Sequence, residues 1–257
     1  MLRPRIIPCL LVHKDGLVKT TQFAAPKYVG DPLNAVRIFN EKQVDELIVA
    51  DIDATVHGRE PDYTLIANLA SECRMPLCYA GGVKTVKQID YIIGLGVEKV
   101  AIGSAAVHTP ALITDAARQV GSQSIVVVMD VKKAGLMRRY EVFTHNGKQA
   151  TGLNPAEFAH RVEEMGAGEI LVNSIDKDGV MKGYDCTLID QVRNAVNLPI
   201  SVLGGAGTLD DIRMLVQRYG VIGAAAGSLF VFKGKYRAVL IQYPTPKDKD
   251  ALFTALA

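Results

Sequence analysis

The feature that most constrains this chain is an internal repeat. Asp45-Glu46-Leu47-Ile48-Val49-Ala50-Asp51-Ile52-Asp53 aligns with Gly168-Glu169-Ile170-Leu171-Val172-Asn173-Ser174-Ile175-Asp176, so each half opens an apolar run with a glutamate and closes the loop after it with an aspartate. Further along, Ala80-Gly81-Gly82-Val83-Lys84-Thr85 matches Leu203-Gly204-Gly205-Ala206-Gly207-Thr208, and Ile102-Gly103-Ser104 matches Ala226-Gly227-Ser228. Self-similarity that keeps its order across several units reports architecture, because each copy is a supersecondary unit that needs its neighbours to bury an apolar face. Two half-barrels follow, approximately 1–120 and 121–230, with their junction near Val120–Gln123 and a divergent C-terminal region over 231–257.

Eight short apolar runs carry the units: Arg5–Val12, Glu46–Asp51, Pro76–Ala80, Lys99–Ile102, Ser124–Asp130, Glu169–Asn173, Pro199–Leu203 and Ile222–Ala226. Each leads into polar or Gly-rich residues and then a helical pattern, as in Asp31–Glu41, Asn154–Met165 and Leu209–Tyr219. Such alternation is the signature of βα units around a parallel sheet. Eight of them close into a barrel with about 250 residues. The chain has 257, so the reading is one (βα)8 TIM barrel of the α/β class spanning 1–257, with no linker-like stretch between its halves. Aromatics make up 6% and Trp is absent, which leaves Val, Ile, Leu and Ala to fill the core.

A net charge of +2 is too small for a nucleic-acid or membrane footprint, although a small anionic ligand remains allowed. Cys9, Cys73, Cys78 and Cys186 show no CxxC spacing, which points to reduced thiols and neither disulfides nor a metal site. Met1-Leu2-Arg3-Pro4-Arg5 lacks the apolar core of a signal peptide, and no run is long enough to span a bilayer, so a cytoplasmic location is expected. No cofactor is indicated.

In such barrels the strand C-termini build the active face. Gly82 with Gly103 and Ser104, and Gly205 with Gly227 and Ser228, place small residues after strands, where backbone N–H groups can cradle phosphate. Gly179 joins the second group. One Gly-Gly alone marks a tight turn, but two symmetry-related cradles fit an elongated ligand with a phosphate at each end. Asp130 ends the fifth run and projects between them, either as a general acid/base or as a carboxylate that binds loop amides. Asp51 and Asp176 are second-rank candidates. Lys19, in the long stretch Lys14–Val29, belongs either to a lid over the ligand or to a solvated loop. At the opposite end Arg5, Glu46, Lys99 and Glu169 each open a run, and four charges of mixed sign in one ring read first as a structural plug.

Taken together these residues resemble the cyclase subunit of imidazole glycerol phosphate synthase, from Met1 to about Phe230. The matching stretches include Arg5-Ile6-Ile7-Pro8-Cys9-Leu10, Gly30-Asp31-Pro32, Gly166-Ala167-Gly168-Glu169-Ile170-Leu171, Ser174-Ile175-Asp176-Lys177-Asp178-Gly179 and Gly183-Tyr184-Asp185. The resemblance implies a heterodimer in which a glutaminase subunit docks on the N-terminal face of the barrel and ammonia crosses the core to the substrate. It makes Arg5, Glu46, Lys99 and Glu169 the ammonia gate, and Glu98 a residue facing the glutaminase. The implied reaction joins ammonia to phosphoribulosyl aminoimidazole carboxamide bisphosphate, yielding imidazole glycerol phosphate and aminoimidazole carboxamide ribotide.

The family uses two aspartates as its acid/base pair, and the sequence keeps only one. Asp130 matches the second, whereas Leu11 stands where the first is expected, and leucine exchanges no proton. Gly103, Asn146 and Asn173 also depart from the histidine-pathway pattern of Asn, Ser and Thr. Cradles and gate kept, reacting centre changed: this resembles a divergent branch found with surface-polysaccharide (O-antigen) pathways, where ammonia converts an acetamido sugar into an acetamidino sugar. Lys233-Gly234-Lys235-Tyr236-Arg237-Ala238-Val239-Leu240 also looks like that branch. The alternatives at this stage are therefore the cyclase reaction, sugar amidination on a phosphorylated or nucleotide-sugar substrate, and a catalytically silent docking subunit.

Overall fold

A computed structural model describes residues 3–253; Met1, Leu2 and residues 254–257, at the two ends of the expected unit, lie outside the described residues. In chain order the elements are β1 (Arg5–His13), β2 (Gly16–Thr21), β3 (Ala24–Gly30), α1 (Pro32–Glu41), β4 (Leu47–Asp51), α2 (Tyr63–Glu72), β5 (Leu77–Ala80), α3 (Val86–Gly94), β6 (Lys99–Ile102), α4 (Ser104–His108) and α5 (Ala111–Val120). The second part follows as β7 (Ile125–Ala134), β8 (Arg139–Thr144), β9 (Gln149–Ala150), α6 (Pro155–Glu164), β10 (Glu169–Ser174), α7 (Cys186–Arg193), β11 (Ile200–Leu203), α8 (Leu209–Tyr219) and β12 (Gly223–Ala226). The chain finishes with α9 (Ser228–Val231), β13 (Phe232–Lys233), β14 (Ala238–Val239) and α10 (Pro246–Phe253).

Strands β1, β4, β5, β6, β7, β10, β11 and β12 pair in parallel in that order, and β12 returns to β1 through Arg5 opposite Gly223. The sheet is thus a closed eight-stranded α/β barrel. Residues alternate across it with the period of two that a strand imposes. Ile7, Cys9, Ile48, Cys78, Ala101, Val126, Leu171 and Ala225 point inward and form a small apolar cluster of their own. Their neighbours Ile6, Leu10, Leu47, Val49, Leu77, Val100, Val127, Ile170 and Val202 point outward into the larger core beneath the helices. Both faces of every barrel strand are covered, which is why the runs are continuously apolar in sequence.

Helix starts are written locally. Asp31, Asp62 and Asn154 cap α1, α2 and α6, each accepting a backbone N–H, while Thr85 and Thr208 make capping boxes at the matching starts of α3 and α8. Between 120 and 123 the chain passes from α5 towards β7 through a single 3-10 turn at Ser122–Ser124.

Two elements depart from the sequence expectation. The stretch Lys14–Val29 is not an irregular loop but the antiparallel pair β2–β3, continuous with β1 through Leu11 opposite Val18. In the other half β7 likewise overruns the barrel and pairs with β8 through Asp130 opposite Phe143. The divergent C-terminal region also acquires a place. After the ribbon β13–β14 the chain descends to the strand N-termini, where α10 lies against α8. There the Tyr243 hydroxyl donates to the Ile6 carbonyl at 2.8 Å and accepts from the Asp45 amide at 3.2 Å, and Lys249 Nζ reaches Asp45 Oδ1 at 2.7 Å. Among the described residues no helix is long and apolar enough to cross a membrane, and all four cysteines are free.

Candidate functional site

The two ends of the barrel axis hold opposite kinds of polar chemistry. At the N-terminal end Arg5, Glu46, Lys99 and Glu169 converge into one ring. Arg5 pairs with Glu46 and, at 2.6 Å, with Glu169; Lys99 Nζ lies 3.0 Å from Glu46 and 2.8 Å from Glu169. Every cation touches both carboxylates. Burial works against the charge on Arg5, Lys99 and Glu169, yet opposite charges outweigh it, raising Arg5 and Lys99 and lowering Glu169 from their ordinary values. Ser201, absent from the sequence reading, completes the ring: its hydroxyl donates to Glu169 and accepts from Arg5 Nη2 at 3.3 Å. A serine inside an apolar run is a weak signal, and only the register of β11 against β10 brings it to the glutamate. Glu98 is exposed at this end, and one of its carboxylate oxygens accepts the Leu77 amide at 2.7 Å.

Above the ring the axis is lined by small and apolar side chains, including Cys9, Cys78, Ala101 and Ala225, with Leu11, Ala80, Val128 and Leu203 packed beyond them. Burial pushes the Cys9 thiol up to about 11 and the Cys78 thiol well above its usual value. Both are neutral liners.

The C-terminal end opens into a cavity bordered by Leu11, Asp51, Gly103, Ser104, Asp130, Asn146, Asn173 and Asp178. Asp130 sits on β7 where Asn173 of β10 is its register partner. Burial pushes its carboxyl up to about 6, against the Asn173 Nδ2 donor at 2.8 Å, while the nearby Asp178 carboxylate adds to the rise. A carboxyl in that range exchanges its proton near neutrality. The other amide atom of Asn173, Oδ1, is buried with no donor. Leu11 borders the same cavity and offers only hydrocarbon.

The second-rank candidates separate here. Asp51 borders the mouth, but its Oδ1 is occupied by the amides of Asp53 and Ala54 at 2.8 and 3.0 Å. Asp176 is not among the mouth-lining residues; its Oδ2 accepts the Lys133 amide at 2.9 Å, tying the loop after β10 to the extension of β7. Asp178, two residues on, takes its place. It accepts from the Thr20 hydroxyl at 2.6 Å and the Phe23 amide at 3.2 Å, fastening the β2–β3 hairpin over the mouth. Burial raises its carboxyl despite those donors.

Two glycine-lined recesses flank the mouth. The first is wide, bordered by Gly82, Lys84, Gly103, Ser104, His108 and His145, with the two imidazoles 5.7 Å apart edge to face. The second is tight, about 30 Å³, and bordered by Gly179, Gly205, Gly227 and Ser228. Its walls are backbone: a Cβ at Gly205 would lie 2.2 Å from the Gly183 carbonyl at a φ of +114°, so only glycine fits there. Lys19 enters this recess. It is a buried residue of β2, not of a solvated loop, and its ammonium donates to the Cys9 carbonyl while lying where a Cβ on Gly227 would be 2.7 Å away.

Residues 5–237 match the histidine biosynthesis protein family. A Leptospira borgpetersenii protein that carries the provisional name imidazole glycerol phosphate synthase subunit HisF is 56% identical over 253 residues, covering 98% of this chain and 100% of that protein. A Pseudomonas aeruginosa protein, provisionally named subunit hisF2 of the same synthase, is 52% identical over 97% of this chain and 99% of its own length. The imidazole glycerol phosphate synthase subunit HisF of Alkaliphilus metalliredigens is 41% identical over 90% of this chain and 91% of its own.

Proposed function

The chain belongs to the histidine biosynthesis protein family, and from that premise we propose that it is the ammonia-accepting cyclase subunit of an imidazole glycerol phosphate synthase. The observation that carries the reading is the axial order of its polar groups: a saturated charge ring, an uncharged interior, then Asp130 beside the unpartnered Asn173 Oδ1. Neutral ammonia has three donors and no charge to desolvate, so a buried acceptor at the end of an apolar path suits it. Arg5, Glu46, Lys99 and Glu169 form its gate; ion-pair rearrangement opens it. A glutaminase subunit supplies the ammonia from the N-terminal face, where Glu98 is exposed. The recesses around Gly82, Gly103 and Ser104 and around Gly179, Gly205, Gly227 and Ser228 take the two phosphates, the second with help from Lys19. Asp130 shuttles protons during ring closure.

Leu11 favours a second reading of the final step. Without the other aspartate, ammonia is delivered to a different acceptor, the activated acetamido carbon of a phosphorylated or nucleotide-linked sugar, as in O-antigen biosynthesis. The deciding assay supplies the purified chain with ammonium salt and the histidine-pathway bisphosphate. Formation of imidazole glycerol phosphate supports the cyclase. No product from the native chain, with product appearing in Leu11→Asp, supports the second acceptor. A silent docking subunit is indicated when both fail and Asp130→Asn changes nothing in a complete system with its glutaminase.

A further inference from the structure

The ribbon β13–β14 has no counterpart in the first half, and it brings one charged side chain to a functional edge. Arg237 Nη2 donates to the carbonyl of Gly179 at 2.8 Å, and Gly179 borders the second recess. The guanidinium lies 5.7 Å from the ring of Phe232, and Lys27 of β3 lies 5.1 Å from the same ring. Phe232 is buried, so its ring is a fixed platform that gathers two cations from two separate insertions. Inside the recess stands Lys19, also buried, and burial lowers its pKa. Among the described residues neither Lys19 nor Arg237 is in an ion pair.

Buried or partly buried cations are normally paired, since an uncompensated charge in a poorly solvated site is costly. Here Lys19 lines a small backbone-walled cavity and Arg237 holds Gly179 at its border, and the two are satisfied by single carbonyls, those of Cys9 and Gly179. Carbonyls are weak substitutes for an anion. A carbonyl held by a guanidinium is also screened from an incoming negative charge, so Arg237 acts on the recess through Gly179 as well as by its own field.

We infer that the ribbon Phe232–Val239 is a specificity element for the second recess, and that Arg237 is its positioning residue, selecting a dianionic phosphate ester together with Lys19. The inference rests on the phosphate-binding part of the proposed function and deepens it. On binding, Lys19 leaves the Cys9 carbonyl for the phosphate oxygens, and Arg237 keeps the Gly179 turn in place while adding a second positive charge at the rim.

The test uses the full chain and inorganic phosphate as the probe, followed by backbone-amide chemical shifts. Gly227 and Ser228 report the second recess, and Gly103 and Ser104 serve as the internal reference. Arg237→Met is expected to weaken phosphate at Gly227 and Ser228 by about tenfold or more, the size of one lost charge-assisted hydrogen bond, with the Gly103 and Ser104 titration unchanged. Arg237→Lys restores the charge and recovers most of that loss, whereas Arg237→Gln, a neutral donor able to hold the Gly179 carbonyl, does not, as it would if bracing of the loop alone were at work. Equal phosphate affinity at the second recess in Arg237→Met and the native chain overturns the inference while leaving the proposed function standing. Failure of phosphate to bind either recess of the native chain overturns the phosphate reading itself, and the inference with it.

Discussion

The two ends of the barrel axis use similar side chains to opposite effect. At the N-terminal ring two cations meet two carboxylates and a serine, each cation touching both carboxylates. At the mouth Asp130 has one amide donor, Asn173 Oδ1 has none, and Lys19 has only a carbonyl. Paired charge in a poorly solvated place is stable and chemically inert, because moving a proton or a partner strands a charge. Unpaired polar groups in a comparable place are destabilised and therefore responsive. The difference separates the two ends of the axis better than residue type does.

Substitutions sharpen this contrast, and the largest effect is expected at the mouth. Asp130→Asn should reduce ammonia-dependent product formation by about 10²- to 10⁴-fold, the usual worth of a positioned acid/base group, without lowering stability. Product assays and chemical denaturation on the same preparation check both halves of that statement. At the ring the ranking inverts. Glu169→Ala leaves Arg5 and Lys99 sharing the single carboxylate of Glu46, an excess of buried positive charge that should cost about 3–5 kcal/mol of unfolding free energy, read from urea titrations. If Asp130→Asn destabilises as much as Glu169→Ala, the contrast between the two ends is broken.

A pH series tests the same distinction. The folded pKa of Asp130 is raised to about 6 from an ordinary value near 4, so between those limits the unfolded chain has already lost the proton that the folded chain keeps. The native chain therefore loses stability relative to Asp130→Asn as pH rises through that window, by at most about 1.4 kcal/mol per pH unit, and the difference is constant above it. The smallest effect is expected at Ser201→Ala, about 1–2 kcal/mol, because the ring keeps its four ion pairs and loses one hydroxyl bridge. Unfolding curves of that variant provide the measurement.

How far these ends were legible in the sequence follows from where their information is stored. The eight strands are legible as short apolar runs, and the ring's Arg5, Glu46, Lys99 and Glu169 as charges that open four of those runs, the two glutamates repeating between the halves. Ser201 was not, since its meaning comes from strand register alone. Lys14–Val29 reads in sequence only as a long stretch after the first run, and its pairing with β1 makes it a sheet extension. For the same reason spacing alone leaves Lys19 open between a lid over the ligand and a solvated loop, and only the hairpin shows it buried. Asp178 lay in plain view within Asp176-Lys177-Asp178-Gly179, but choosing it over Asp176 requires knowing that the 3-10 turn Ile175–Lys177 rotates the first carboxylate towards Lys133.

The descent of the C-terminal region to Asp45 and Ile6 sets the order in which the molecule can be completed on the ribosome. Strand β1 has an open edge until β12 arrives, and the Lys249–Asp45 contact joins residues 204 positions apart. At elongation rates of about 5–20 residues per second, β1 waits roughly 10–40 s for its second neighbour. During that interval β1 presents an unpaired, apolar edge, the kind of surface that recruits wrong partners. Tyr243 and Lys249 emerge later still, so their contacts with Ile6 and Asp45 are the last of these to become available in chain order.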